Sequence, residues 1–233
     1  YARLVGLLVQ IGIDRDFFKK NPYGINFPRH PGGFIDRNGP VTGYRRNGVT
    51  IIRTSTCKKD NIKTVRRLAQ YEKVRLCNHF TRAFAGTDFL KRTFPPHGRS
   101  GSGYNRAMSA LMHLAKQGTY PDLRHDYPSV LVSKGLLPGA ANAHSERDGN
   151  NHIVFNWEDN SETGTARPDD KVILVAYFPE LQQAVFSIGD TVRADGNATL
   201  DLHGMKSYQS HSWIGFLTTD EKDAAHSVYC RWV

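Results

Sequence analysis

The stretch "HGRSGSGYNR" at 97–106 holds the glycines, serines and arginines from which phosphate-binding loops are built. A Walker-type loop needs Lys and then Ser or Thr after its last glycine, so that an amine and a hydroxyl reach phosphate and magnesium. Tyr104 and Asn105 follow instead. Two readings stay open: an anion held by exposed amides with Arg99 and Arg106 beside them, or a plain flexible linker.

The other reactive residue types are scattered. Ten histidines form no HExxH, no short-spaced pair on one helical face and no Cys/His cluster. His203 and His211 are close enough in sequence to meet across neighbouring strands, as are many strand residues. Glu158, Asp159, Glu162, Asp169 and Asp170 crowd one segment but lack the DxDxDG order of a calcium loop, so they read as a solvated acidic loop. There is no Gly-x-Ser-x-Gly elbow, and in Cys77-Asn78-His79 the thiol and imidazole are neighbours in sequence only. Asn197-Ala198-Thr199 is a glycosylation sequon, meaningful in a secreted eukaryotic chain. These residues point to no catalytic, metal or cofactor site, and none is expected.

Charge is the stronger signal. The 233 residues carry a net +9, unevenly spread. Residues 1–128 hold 23 Lys and Arg against 8 Asp and Glu, a net of +15, whereas 129–233 hold 8 against 14, a net of −6. Such asymmetry implies two surfaces, one suited to polyanions and one able to dock a basic partner. The densest basic stretch, 37–106, holds 16 Lys and Arg against 3 Asp and Glu. Its candidate partner-binding cations are Arg45, Arg46, Lys58, Lys59, Lys63, Arg67, Arg75 and Arg82, with Tyr44 and Tyr71 available to stack.

Those residues need elements to hold them. Residues 41–45 and 49–53 are β-prone and meet at Asn47-Gly48, the favoured pair for a tight hairpin turn. Over 60–84, Ile62, Val65, Ala69, Leu76, Phe80 and Ala83 recur at helical spacing, predicting a basic amphipathic helix. A second helix is expected over 104–117, with Ala107, Met108, Leu111 and Ala115 inward and Gly118 as its stop, followed by a short strand at 129–133. Before them, the Pro- and Gly-rich 21–40 reads as a loop or extended arm. The apolar run at 4–13 is too short to cross a membrane, and the start at Tyr1 rather than Met suggests that natural residues precede it.

The last hundred residues alternate as strands, at 143–147, 152–157, 171–178, 184–187, 191–201, 210–218 and 225–231. In the third, Val172, Leu174 and Ala176 face one way and Ile173, Val175 and Tyr177 the other. The expected fold class is therefore α+β: a basic hairpin and two helices, then an antiparallel β-sandwich of fibronectin type III or immunoglobulin form. With no cysteine pair placed to bridge the sheets, the fibronectin form is preferred. The corresponding regions are an arm at 1–36, a hairpin-and-helix region at 37–128 and the sandwich at 129–233. Cys57, Cys77 and Cys230 form no disulfide framework, which favours a cytoplasmic chain.

Several long motifs occur in fixed order: "GGFIDRNGPVTGYRRNGVTIIRTSTCKK", "YNRAMSALMHLAKQGTYPD", "YPSVLVSKGLLPGAANA", "FNWEDNSETGTARPDDKVILVAYFPELQQAVF", "RADGNATLDL" and "HSWIGFLTTDEKDAAHSVY". From about residue 32 to the end the chain resembles a family of uncharacterised Bacteroidetes proteins known only as a domain of unknown function. The resemblance implies a Gly-rich basic arm near Gly32, a fibronectin-like C-terminal half and no obvious signal segment. It carries over no catalytic residues, and residues 1–31 depart from its pattern.

Three function classes follow. The first is a non-enzymatic interaction or assembly module whose partner is another protein or a copy of itself. The alternative is sequence-tolerant nucleic-acid binding through the basic half, since no helix-turn-helix, zinc finger or RNP pattern supports base readout. The third is a carbohydrate-binding sandwich or an enzyme whose site is assembled from distant residues. Exposed Trp213 or Trp232 on a sheet face would be its clue.

Overall fold

A computed structural model of the chain describes residues 25–27, 36–38, 41–46, 48–54, 64–98, 101–114 and 116–232. The polypeptide forms two compact units, Tyr1–Ile62 and Lys63–Val233. The expected hairpin lies in the first. Strands β3 (Val41–Arg46) and β4 (Val49–Thr54) pair antiparallel, with Arg46 opposite Val49, so Asn47-Gly48 is the whole connection. Gly48 takes a φ of +79°, which a side chain would resist at this turn. The segment expected as an irregular arm does more than lead in. It supplies two edge strands, β1 (Ile25–Phe27) beside β4 and β2 (Asp36–Asn38) beside β3, giving the order β1-β4-β3-β2.

The second unit is an α+β assembly around a β-sandwich. Strands β7 (Ala141–Arg147), β8 (His152–Glu158) and β11 (Asn197–Asp201) form a three-stranded sheet ordered β11-β8-β7. Strands β9 (Lys171–Phe178), β10 (Gln183–Val192), β12 (His211–Leu217) and β13 (Val228–Trp232) form a four-stranded sheet ordered β10-β9-β12-β13. Ile153, Phe155 and Trp157 of one sheet meet Val172, Leu174, Ala176, Ile214 and Phe216 of the other in a shared core. The expected strand over 191–201 is two pieces. The chain leaves β10, makes a 3-10 turn at Arg193–Asp195 and crosses to the opposite sheet as β11, because one straight strand cannot serve both layers.

The outer face of the four-stranded sheet is covered as well. Helices α1 (Val65–Arg82), α2 (Phe89–Thr93) and α3 (Gly103–Leu114) pack Phe80, Phe84, Phe89, Phe94, Ala107 and Leu111 against Ile173, Val175, Tyr177 and Trp213. The rings of Phe84 and Phe89 stack with centroids 4.6 Å apart, and Phe80 lies 4.7 Å from Tyr177. Helices and sandwich thus share one unit of three layers.

Helix details differ from the sequence reading. α1 is capped by Thr64, whose side chain accepts from the Arg67 amide, and it buries Cys77, Phe80 and Thr81. The stripe expected along its whole length fails at the N-terminal end, where Val65 is 69% exposed, because only the last turns rest on the sheet. α3 ends at Leu114, and the residues beyond it pair instead: β5 (Lys116–Gln117) with β6 (Arg124–His125). Gly118 therefore serves that ladder, not a helix end; at φ +87° a Cβ there would sit 2.3 Å from the Asp122 carbonyl oxygen. The expected strand at 129–133 is a 3-10 turn, Tyr127–Ser129, followed by an extended segment. That segment is held by the Val132 amide donating to Ser227 Oγ at 2.9 Å and Ser133 Oγ donating to the Ala225 carbonyl at 2.8 Å.

Where the chain crosses between sheets, Arg193 is fully buried. Its Nε donates to Asp170 Oδ2 at 3.1 Å, Nη1 to Asn160 Oδ1 at 2.5 Å and Nη2 to the Pro138 carbonyl at 3.1 Å. The guanidinium lies 3.7 Å from the Phe216 ring centroid, and the Arg193 carbonyl accepts from Trp157 Nε1 at 2.8 Å. Arg193→Ala leaves the Asp170 carboxylate buried without its cation, and halving such a pair costs about 3–5 kcal/mol. The paired change Arg193→Met/Asp170→Ala removes both charges and should cost less. Urea unfolding compares them, and equal losses would count against charge balance as the reason for this cluster.

A second polar tie joins helix to sheet. Arg92 on α2 donates to both oxygens of Glu221, at 2.8 and 2.7 Å, and Lys171 Nζ adds a third bond at 2.7 Å. The hydrogen bonds from Arg92 and then Lys171 hold the Glu221 carboxyl at about 2, below its ordinary 4.5. A depressed carboxyl stabilises the fold fully above its unfolded pKa and loses that contribution as pH falls, here from about 4.5 to about 2. Melting measured across that window should show Glu221→Gln with a flatter acid limb than the parent. The difference should be on the order of 1–2 kcal/mol once solvent screening of a one-third-exposed pair is counted.

Candidate functional site

The first candidate surface is α1 itself. An 18-residue helix is roughly 27 Å long. From Val65 to Leu76 none of its residues is buried, and Arg66, Gln70, Tyr71 and Arg75 are exposed. Arg66, Arg67, Lys73, Arg75 and Arg82 face one acid, Glu72, along the helix. Arg67 and Tyr71, four residues apart, are brought together: Arg67 Nε donates to the Tyr71 hydroxyl at 2.7 Å, and the guanidinium carbon sits 5.6 Å from the ring centroid. Tyr71 keeps 51% of its surface exposed. Arg75 is differently placed, because it is already engaged by both oxygens of Glu72, at 3.1 and 2.5 Å. That bond draws the Glu72 carboxyl below its usual value and raises the Arg75 guanidinium. Arg82 is exposed at the last turn, beside an open cavity of about 690 Å³ lined by Thr81, Phe84, Leu90, Pro96 and Tyr104.

The loop at 97–106 borders that cavity. Arg106 does not reach outward for an anion. Its Nε and Nη2 donate to the Phe94 carbonyl at 2.8 and 2.6 Å, and its Nη1 to that of Gly101 at 2.7 Å, so it clamps the loop. Arg99 lies outside the described residues.

The second candidate surface is the sheet of the first unit. Strand pairing sets which residues share a face, since directly opposed residues project to the same side. Thr42 is opposite both Arg53 and Arg37, Tyr44 opposite Ile51, and Arg46 opposite Val49. Arg37, Tyr44, Arg46 and Arg53 therefore occupy one face. The other face carries Ile25, Phe27, Val41 and Ile52 with Arg45 and Asp36. Arg45 and Arg46, paired in the sequence reading as one basic tip, are separated by the period-two alternation of β3. Arg53 is exposed, with its guanidinium 5.6 Å from the Tyr44 ring centroid. Arg37 and Arg53 were missed from the sequence; the alternation through "VTGYRR" and "VTIIRT" is the signal that could have found them. Lys58, Lys59, Lys63 and Cys57 lie outside the described residues.

His211 and Trp213 are packed among the aromatic rings of the sandwich. His211 stacks on Tyr127 with centroids 3.7 Å apart and shares a 2.8 Å hydrogen bond between Nδ1 and the Tyr229 hydroxyl. Burial holds the His211 imidazole at about 4, so it is neutral near pH 7, and burial likewise pushes the Tyr127 and Tyr229 hydroxyls up. His203 instead lies beside Asp201, with Nδ1 3.7 Å from Oδ2, so the two histidines hold different partners. Of the two tryptophans expected as a clue to sugar binding, Trp213 is fully buried and offers no stacking platform, and the side chain of Trp232 lies outside the described residues. Among the described residues no group of three or more His, Cys, Asp or Glu could hold a metal ion, and no helix is long and apolar enough to cross a membrane.

No curated protein matches the chain. The model of a family of unknown function, DUF6266, matches residues 33–231, beginning one residue inside the Gly32 where the resemblance starts. The chain belongs to the DUF6266 family of unknown function.

Proposed function

We propose that this protein is a non-enzymatic interaction module that engages a polyanionic partner through its basic surfaces. The observation that carries this reading is the N-terminal half of α1, which sets Arg67 beside an exposed Tyr71, carries Arg66 and Lys73 on its other sides and holds no fully buried residue. Most helix stability in proteins comes from a packed apolar face. A half-helix whose apolar residues, Leu68, Ala69, Val74 and Leu76, are only half-buried is better accounted for by what it meets than by what it supports.

The sandwich is the scaffold of this reading. The strand after β9 pairs with β9 and leaves β11 beside β8. That favours the fibronectin type III form over the immunoglobulin constant type, whose four-stranded sheet holds the first two strands. Burial pushes the Cys230 thiol up to about 12, so it stays protonated, and the spacing of the three cysteines offers no disulfide framework, which suits a reducing, cytoplasmic compartment.

A second reading is self-assembly, favoured by the net of −6 over 129–233, which offers the basic surfaces an acidic one on another copy. Both readings are testable on the intact protein. On immobilised heparin the protein should be retained, and Arg66→Glu/Arg67→Glu should elute at clearly lower salt. The control Lys206→Glu/Lys222→Glu, with the same charge change on the sandwich, should shift much less. Equal shifts would reduce the effect to net charge and remove α1 as the surface. Light scattering across concentration at low salt reports the second reading: a strict monomer throughout argues against self-assembly.

A further inference from the structure

We infer that the Arg37–Tyr44–Arg46–Arg53 face of the first unit's sheet binds single-stranded nucleic acid. This deepens the interaction-module reading by naming a partner and a second surface, and rests on it for the premise that the basic regions face a ligand. Three observations carry it.

The first is charge complementarity. By strand register the positions of Arg37, Arg46 and Arg53 share the face of Tyr44, and the position of Asp36 is on the opposite face. Arg53 forms no ion pair with any of the described residues. Strands lie about 4.8 Å apart and rise about 3.3 Å per residue, so the three arginine positions surround Tyr44 within roughly 7–12 Å. A phosphate backbone crossing the sheet at the ring meets the Arg53 guanidinium.

The second observation is the ring itself. Tyr44 sits on a central strand, half-buried, with Ile51 opposite and the Arg53 guanidinium within cation–π range. A planar aromatic and a planar guanidinium are the two protein groups on which unpaired bases stack. In a duplex the base faces are hidden inside the helix, and only groove edges and phosphates are offered. A stacking platform with a guanidinium beside it therefore suits a single strand, and it favours nucleic acid over an acidic peptide, which has charge but no flat faces. The third observation is that the described side chains flanking the ring on β4, Val49 and Ile51, are apolar and offer no hydrogen bonds to base edges. Recognition should tolerate sequence.

The test uses the full chain and labelled oligonucleotides of about 30 bases, single- and double-stranded, read by fluorescence anisotropy at ~50 and ~200 mM salt. The single strand should bind more tightly than the duplex, and affinity should fall steeply with salt. Tyr44→Ala should weaken single-strand binding about tenfold, while Tyr44→Phe, which keeps the ring, should bind like the parent. Arg53→Ala should weaken it several-fold, and Arg45→Ala, on the opposite face, should change it less than about twofold. Circular dichroism of each variant separates a lost surface from a lost fold, and Tyr44→Phe with Arg45→Ala keeps the comparison intact if Tyr44→Ala unfolds. The inference is overturned if Arg45→Ala matches Arg53→Ala, if duplex binds as well as single strand, or if polyglutamate competes as well as DNA. It is also overturned if no binding is seen at low salt. Overturned here with the α1-dependent heparin retention intact, the sheet assignment falls and the interaction module stands; loss of both removes both.

Discussion

The second unit is organised by the burial of β9 on both of its faces. Seven consecutive residues, Val172–Phe178 in sequence order, are withdrawn from water. Val172, Leu174, Ala176 and Phe178 lie in the sandwich core, and Ile173, Val175 and Tyr177 lie under the helices. Each large apolar side chain so buried is worth about 1.5–3 kcal/mol relative to exposure. A strand of that composition left bare on either side would forfeit half of that gain, so a second sheet must cover one face and something else the other. The three helices are that cover. Antiparallel strands usually leave one face to water, and continuous apolar runs belong to strands enclosed on both sides.

The polar interior follows from the same enclosure. The chain must cross from the four-stranded sheet to the three-stranded one, and the crossing carries backbone polar groups into a place where water does not follow. Arg193 resolves this by gathering Asp170, Asn160 and the Pro138 carbonyl around one guanidinium, which also covers Phe216. The triad of Arg92, Glu221 and Lys171 repeats the solution nearer the surface, tying α2 to the sheet it covers. These arginines are structural. Arg67 of α1 and Arg53 of the first unit's sheet have no such enclosure, and each lies beside an exposed or half-buried tyrosine. That contrast separates cations that build the fold from cations left at the surface.

Much of the fold was legible because its signals are local. Asn47-Gly48 named the hairpin, and the alternation in β9 assigned each residue to its face. Trp157 announced a strand packed on the opposite sheet. The candidate site was legible in part. Arg67 and Tyr71 are a helical i,i+4 pair and do meet. Arg75 was read as free for phosphate, but its neighbour Glu72 holds it. Arg106 was read beside an anion and is spent on carbonyls of its own loop. The Glu72–Arg75 pair could have been read from its i,i+3 spacing on one helix, whereas nothing in the residue types foretells the Arg106 clamp, since an exposed arginine and a clamping one are written alike.

What the sequence determined by itself is therefore periodicity: which segments are strands or helices, which residues share a face, and that the front of the chain is basic. Tertiary structure decided how those faces are used. It ended the buried stripe of α1 at the last turns, broke the 191–201 strand at Arg193, and turned the segment at 129–133 into an irregular edge held by Ser133 and Ser227. The reason is that a local pattern states only that a face is apolar. Which neighbour covers it, and where that neighbour stops, depends on contacts between residues a hundred positions apart.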